Sequence, residues 1–305
     1  MRVLIAADGS KHGTHDLVAA CPLLASGKHE YSLLCVAPKA PSIRAARNVS
    51  KEHAAKVHKV MQEKLKRRAH RIVESVQSKL AAEGVQPKTM VHSGSPARML
   101  VQCAQDFDVV VVGATSHGDD SYPGLGPVAS RLVEHANSSV FLARAGGGEP
   151  SLRILVPIDG SETSFDVLKR LNDLSDLSAC EVTLLHVVET PWLRLVDDQD
   201  WIDQETREDE EGSKLDLQED VEREFTKDGE AILEEARGRL PVRTSVSTVV
   251  NHGLPADEIL SEVNSGSYDL VALAASGERD LKHRILGSVS SRVAWNAPCS
   301  VLPVR

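Results

Sequence analysis

At 305 residues the chain is long enough for two domains, each burying a core of its own. Its 41 % hydrophobic and 26 % charged residues indicate a soluble globular class, and no apolar run approaches the length of a membrane span. The excess of 44 acidic over 35 basic residues, net −9, argues against general nucleic-acid binding, and 3 % aromatics leave no stacking platform for single strands.

The first expected strand, "RVLIAA" at Arg2–Ala7, comes directly after Met1, so no secretory leader is expected. Four further strands are predicted near Tyr31–Val36, Lys88–Val91, Asp108–Gly113 and Ser139–Ala143, with helices starting at Ser10 and at Pro96. The glycine-rich "RAGGGEPS", Arg144 to Ser151, suits a short linker. Beyond it come strands near Arg153–Pro157, Glu181–Val187, Arg243–Val249, Asp269–Ala274 and Ser300–Val304, with helix starts at Ser161 and Pro255. Short β-branched runs alternating with longer helical segments predict parallel sheets covered by helices. The five cysteines (Cys21, Cys35, Cys103, Cys180, Cys299) form no CxxC pair and sit in apolar contexts, as in reduced core residues of a cytoplasmic protein.

The second series of elements repeats the first. "RVLIAADGSKHG" returns as "RILVPIDGSETS", and "VHSGSPARMLVQCAQDFDVVVVGA" as "VNHGLPADEILSEVNSGSYDLVALAA", which divides the chain into domains at 1–145 and 151–305. In open α/β sheets ligands bind beyond the carboxyl ends of the strands, where Asp159, Val187, Gly253 and the stretch from Ala274 to Ser288 converge. Gly277 and Gly287 stand ten positions apart in that stretch. Ser288 opens a helix whose unpaired N–H groups suit an anion, with Lys282, His283 and Arg284 as nearby cations. The plainer reading is that the glycines shape a turn and Ser288 caps a helix.

"ILVPIDGS", "LLHVVE", "VNHGLPADEIL" and "AASGERDLKHRILGSVS" resemble the successive signatures of the universal stress protein family, in two copies spanning nearly the whole chain. The resemblance implies two tandem Rossmann-like, adenine nucleotide alpha hydrolase-like domains, each a five-stranded parallel sheet flanked by helices. Nucleotide-binding members carry G-x2-G-x9-G-[ST] after the fourth strand. Gly277, Gly287 and Ser288 reproduce its second half, and Ala274 replaces the first glycine. What the resemblance implies for the second domain is ATP or a related adenine nucleotide, with Asp159 beside the ribose and any Mg ion, and Val187 against the adenine. Pro157, Ile158, Gly253, Ala274, Ser276, Gly277 and Arg279 would complete the pocket wall, while Ser288, Val289 and Ser290 would bind phosphates. In the first domain Asp8, Val36, Gly113, Gly118 and Gly126 are weaker candidates: Pro127 replaces the hydroxyl residue and lacks an N–H, and Asp119 and Asp120 bring negative charge. The implied role is a cytoplasmic stress sensor or regulator. A slow ATP hydrolase and a protein-interaction module without nucleotide are the alternatives. An intramolecular pseudo-dimer through the two final strands is expected, with a homodimer and a regulatory protein as further partners and neither nucleic acid nor membrane among them.

Other chemistries lack their parts. No GxxxxGK[ST], HExxH or GxSxG motif is present, and no catalytic base stands out. His53 and His58 do not share a helix face, and His117 and His252 read as ordinary loop histidines. Lys39 to Arg71 holds eleven basic residues against two acids, whereas Glu189 to Glu224, at the same place in the repeat, holds fifteen acids against four. Solvated helical faces are the plain explanation; mutual attraction, or an anionic partner for the basic segment, is the sharper one.

Overall fold

The computed structural model describes residues 1–25, 29–41, 51–114, 124–145, 151–189, 211–276 and 286–305. The first half runs β1 (Arg2–Ala7), α1 (Lys11–Ala19), α2 (Cys21–Ala25), β2 (Glu30–Pro38), α3 (Lys51–Ala82), β3 (Lys88–Gly94), α4 (Pro96–Ala104), β4 (Val109–Gly113), α5 (Pro127–His135) and β5 (Ser139–Ala143). The second half repeats it with β6 (Leu152–Pro157), α6 (Glu162–Leu174), β7 (Cys180–Val188), α7 (Glu211–Gly238), β8 (Ser245–His252), α8 (Pro255–Gly266), β9 (Leu270–Ala274), α9 (Ser288–Asn296) and β10 (Ser300–Val304). A 3₁₀ turn, Leu177–Ala179, leads into β7.

Local chemistry explains the boundaries. The Ser10 hydroxyl accepts the Gly13 N–H at 3.0 Å and the Ser161 hydroxyl accepts that of Ser164 at 3.2 Å, each capping the helix after its first strand. Pro96 and Pro255 occupy first helical turns, where no N–H is needed. Strand β8 starts two residues later than the sequence predicts, because the Thr244 N–H closes a turn on the Pro241 carbonyl.

The strands form one sheet in the order β3-β2-β1-β4-β5-β10-β9-β6-β7-β8. All pairings are parallel except β5 with β10, where Val301 faces Leu142. Each half therefore has the order 3-2-1-4-5, and an approximate two-fold axis through the β5–β10 junction relates them. Parallel strands buried on both faces favour continuous β-branched runs, and Val109 to Val112 are all buried. One apolar layer joins alternate strand residues such as Val3 and Ile5 to α1, α3, α6 and α7; the opposite layer joins Leu4 and Ala6 to the face carrying α4, α5, α8 and α9.

Candidate functional site

The strand order reverses between β1 and β4 in the first half and between β6 and β9 in the second, and a cavity opens beyond the carboxyl ends of the strands at each place. The second-half cavity, about 540 Å³, is lined by Pro157, Ile158 and Asp159 from the end of β6, Val187 from β7, Ala274 from β9, and Gly287 through Ser290 at the start of α9. Nine residues singled out in the sequence thus share one wall. Its remaining surface comes from side chains that the sequence reading did not single out, among them Leu185, His186, Ile259 and Leu273.

Two polar side chains of the wall have identified hydrogen-bond partners. Burial pushes the Asp159 carboxyl upward, but the Ser161 hydroxyl and amide, both donating to Oδ1, hold it below the usual carboxylate range, so it is ionised at neutral pH. His186 places Nδ1 2.8 Å from the Ile158 carbonyl; a carbonyl only accepts, so Nδ1 carries a proton and donates it there. Nothing in the alternation of β7 marks this histidine as different from a strand residue, which is why the sequence gives no signal for it.

Gly287 caps α9 with φ −62° and ψ 160°, and no side chain closes the cap. This is extended backbone open to any residue, so no left-handed turn calls for the glycine, and the first amides of α9 are left with no intrahelical acceptor. The Ser290 hydroxyl is committed elsewhere: it donates to the Ala274 carbonyl at 2.6 Å, tying the strand end to the helix start. At the other turn, Gly9 and Gly160 take left-handed φ of +77° and +86° directly after Asp8 and Asp159.

Two expected residues face elsewhere. Gly253 does not line the cavity; with φ +152° it turns the chain into α8, its N–H donating to the Val188 carbonyl and its α-carbon backed by Glu258. Ser276 lines a separate polar hollow with Thr163, Lys169, Arg170 and Arg305. Gly277 and Arg279, with Lys282, His283 and Arg284, lie outside the described residues, as do His117, Gly118, Asp119 and Asp120 in the first half.

The first-half cavity is the larger, about 830 Å³, and brings together Asp8, Val36, Gly113 and Gly126. Leu65, Arg68, Ala69 and Ile72, on one face of α3, roof it. Cys35 also lines it, its thiol pushed up to about 11 mainly by burial, so it stays protonated at neutral pH. Gly126 repeats the Gly287 geometry at φ −63° and ψ 159°, but the next residue is Pro127, which has no amide hydrogen to offer. Among the described residues no group of three or more His, Cys, Asp or Glu side chains is arranged to hold a metal ion.

The family model described as "Universal stress protein family" matches residues 1–144 and again residues 151–305. The universal stress protein YxiE of Bacillus subtilis is 29 % identical over 161 residues, covering 50 % of this chain and 98 % of that protein. A universal stress protein of Mycolicibacterium smegmatis is 27 % identical over 232 residues, 73 % of this chain and 70 % of that one. The crystal structure of a universal stress protein from Archaeoglobus fulgidus superposes over 100 % of this chain and 98 % of its own with a TM-score of 0.61, at 16 % identity, a likeness of fold.

Proposed function

The chain belongs to the universal stress protein family, and from that premise we propose that its second domain, residues 151–305, binds an adenine nucleotide, ATP foremost, and that the protein acts as a nucleotide-dependent sensor or regulator in the cytoplasm. The carrying observation is the convergence of Asp159, Val187, Ala274 and Gly287 to Ser290 around one cavity. Its volume falls within the roughly 300–1,000 Å³ of small-molecule sites.

The residues present fit such a ligand. Leu185, Val187, Ile259 and Leu273 offer an apolar wall for a base, and the ionised Asp159 accepts hydrogen bonds from ribose hydroxyls. Amides at the start of α9 donate to phosphates with the favourable end of the helix dipole. A magnesium ion would come with the phosphates, near Asp159. In the first domain, residues 1–145, Pro127 removes one of these amides, so the same nucleotide binds there weakly despite the greater volume. A turnover assay set beside a binding assay separates a nucleotide-binding regulator from a slow ATP hydrolase.

Calorimetric titration of nucleotide-free protein with ATP tests this reading. One tight site per chain is expected. Gly287→Val should weaken binding at least tenfold, about 1.4 kcal/mol, because its side chain fills space reserved for the phosphate, while Gly126→Val should change little. Two equivalent sites, or loss through Gly126 alone, would overturn the asymmetric assignment. No binding at all would favour an interaction module that works without nucleotide.

A further inference from the structure

The cavities of the two halves occupy equivalent places, yet the side chains around them differ. Ile158 and His186 line the second; the strand pairings put Ala7 and Cys35 at the same positions in the first. His186 works as a plug. Besides donating to the Ile158 carbonyl, its ring lies so close to α7 that a methyl group on Gly229 would stand 2.7 Å from Cδ2. The corresponding pair in the first half is Cys35 and Ala69, a small side chain on the strand and a methyl on the helix. With no ring in the gap, the space under the helix stays open. Leu65, Arg68, Ala69 and Ile72 of α3 line the first cavity, whereas no described residue of α7 lines the second, and the volumes are about 830 and 540 Å³.

The wall at the helix start has changed as well. Pro127, Val128 and Ala129 stand where the second half has Ser288, Val289 and Ser290, so an amide hydrogen and two hydroxyls give way to apolar surface. Charge differs too. Arg68 is exposed at the rim and makes no ion pair or hydrogen bond with a described residue, and its counterpart on α7 is Asp228. Lys11 adds a second cation, while the Asp8 carboxylate is engaged in accepting the Ser10 N–H at 2.8 Å.

A nucleotide asks for the reverse of these changes, with donors for its phosphates and polar partners for its sugar. We propose that the first cavity holds a chemically different ligand, an apolar small molecule with a single acid group, its body under α3 among Leu65, Ala69, Ile72 and Cys35 and its acid at Arg68. Removal of apolar surface from water drives the binding, and the guanidinium selects an anion and fixes its orientation. One chain thus reads two ligands, a nucleotide in the second half and an apolar acid in the first.

Fluorescence titration of the full chain with anilinonaphthalene sulfonate, an aromatic body with one sulfonate, is the test. One saturable site is expected, from which decanoate displaces the probe and ATP, at concentrations that would fill a tight site, does not. Cys35→His/Ala69→Gly rebuilds the plug of the second half and should weaken probe binding at least tenfold, with ATP titrating as in wild type. Arg68→Gln changes an exposed side chain, so it should fold as wild type does while weakening probe and decanoate at least fivefold. Absence of a saturable probe site, a site emptied by ATP or indifferent to decanoate, or wild-type probe affinity in either folded variant would each overturn the proposal. ATP binding is read separately, so failure of the nucleotide reading leaves this result standing.

Discussion

Asp16 lies on α1 at the position where α6 carries Val167, and only 7 % of it is exposed. Its carboxylate accepts the Ala145 N–H at 3.0 Å. Burial raises its proton affinity, and neither that bond nor the charges of His15, Arg144 and His12 fully offsets the rise. A carboxyl held above its unfolded value binds more protons folded than unfolded, so its ionisation lowers stability as pH climbs through that interval. Asp16→Asn keeps an oxygen for Ala145 and removes the charge. The variant should therefore melt at or above the wild-type temperature at neutral pH, and this advantage should vanish as pH falls below the ordinary aspartate range. Thermal melts across pH decide it, and a variant less stable at neutral pH than in acid, relative to wild type, would contradict the assignment. An aspartate among helical residues reads from sequence as a solvated one; its burial depends on the tail of β5 crossing α1, which no local pattern announces. Asp159 was legible for the opposite reason, since its strand–Asp–Gly–Ser setting recurs in both halves.

At the scale of elements, the two halves are locked by an exchange of arginines. Arg144, after β5, donates from Nη2 to the Ala294 carbonyl at 2.8 Å and from Nη1 to that of Cys299 at 3.2 Å. Arg305, after β10, donates to the Val133 carbonyl at 2.6 Å. Val133 and Ala294 sit in the last turns of α5 and α9, where carbonyls lack intrahelical partners and a cation is favoured. The serines repeat the exchange: the Arg144 N–H meets Ser300 Oγ and the Arg305 N–H meets Ser139 Oγ, both at 3.1 Å. Arg144→Ala leaves two carbonyls unsatisfied in a buried setting and should lower stability by about 1–3 kcal/mol, read as a shift of the urea midpoint at unchanged slope. An unshifted midpoint would mean that water replaces the guanidinium. The strands themselves were legible, since "VVVV" or "SVFLA" can do little else than fill a covered sheet. The clamp was not, because its partners stand 150 residues or more apart in the chain and sequence periodicity reports only near neighbours.

For the whole molecule, the β5–β10 junction decides what either half can do alone. Split at the linker, residues 1–145 would present β5 and residues 151–305 would present β10 as uncovered edges, and such edges seek partners. The two pieces, coexpressed, should purify together, and each alone should self-associate; pieces that remain monomeric and indifferent to one another would show that the junction contributes little. The junction has one more consequence, which concerns symmetry. Its antiparallel pairing reverses the strand direction from one half to the other, so the two cavities open on opposite margins of the sheet. In a pair of identical single-domain subunits, any substitution is copied into both pockets. Joined in one polypeptide, the pockets are free to diverge: a proline can close one set of amides while the other keeps its serine, and the shared sheet is left undisturbed.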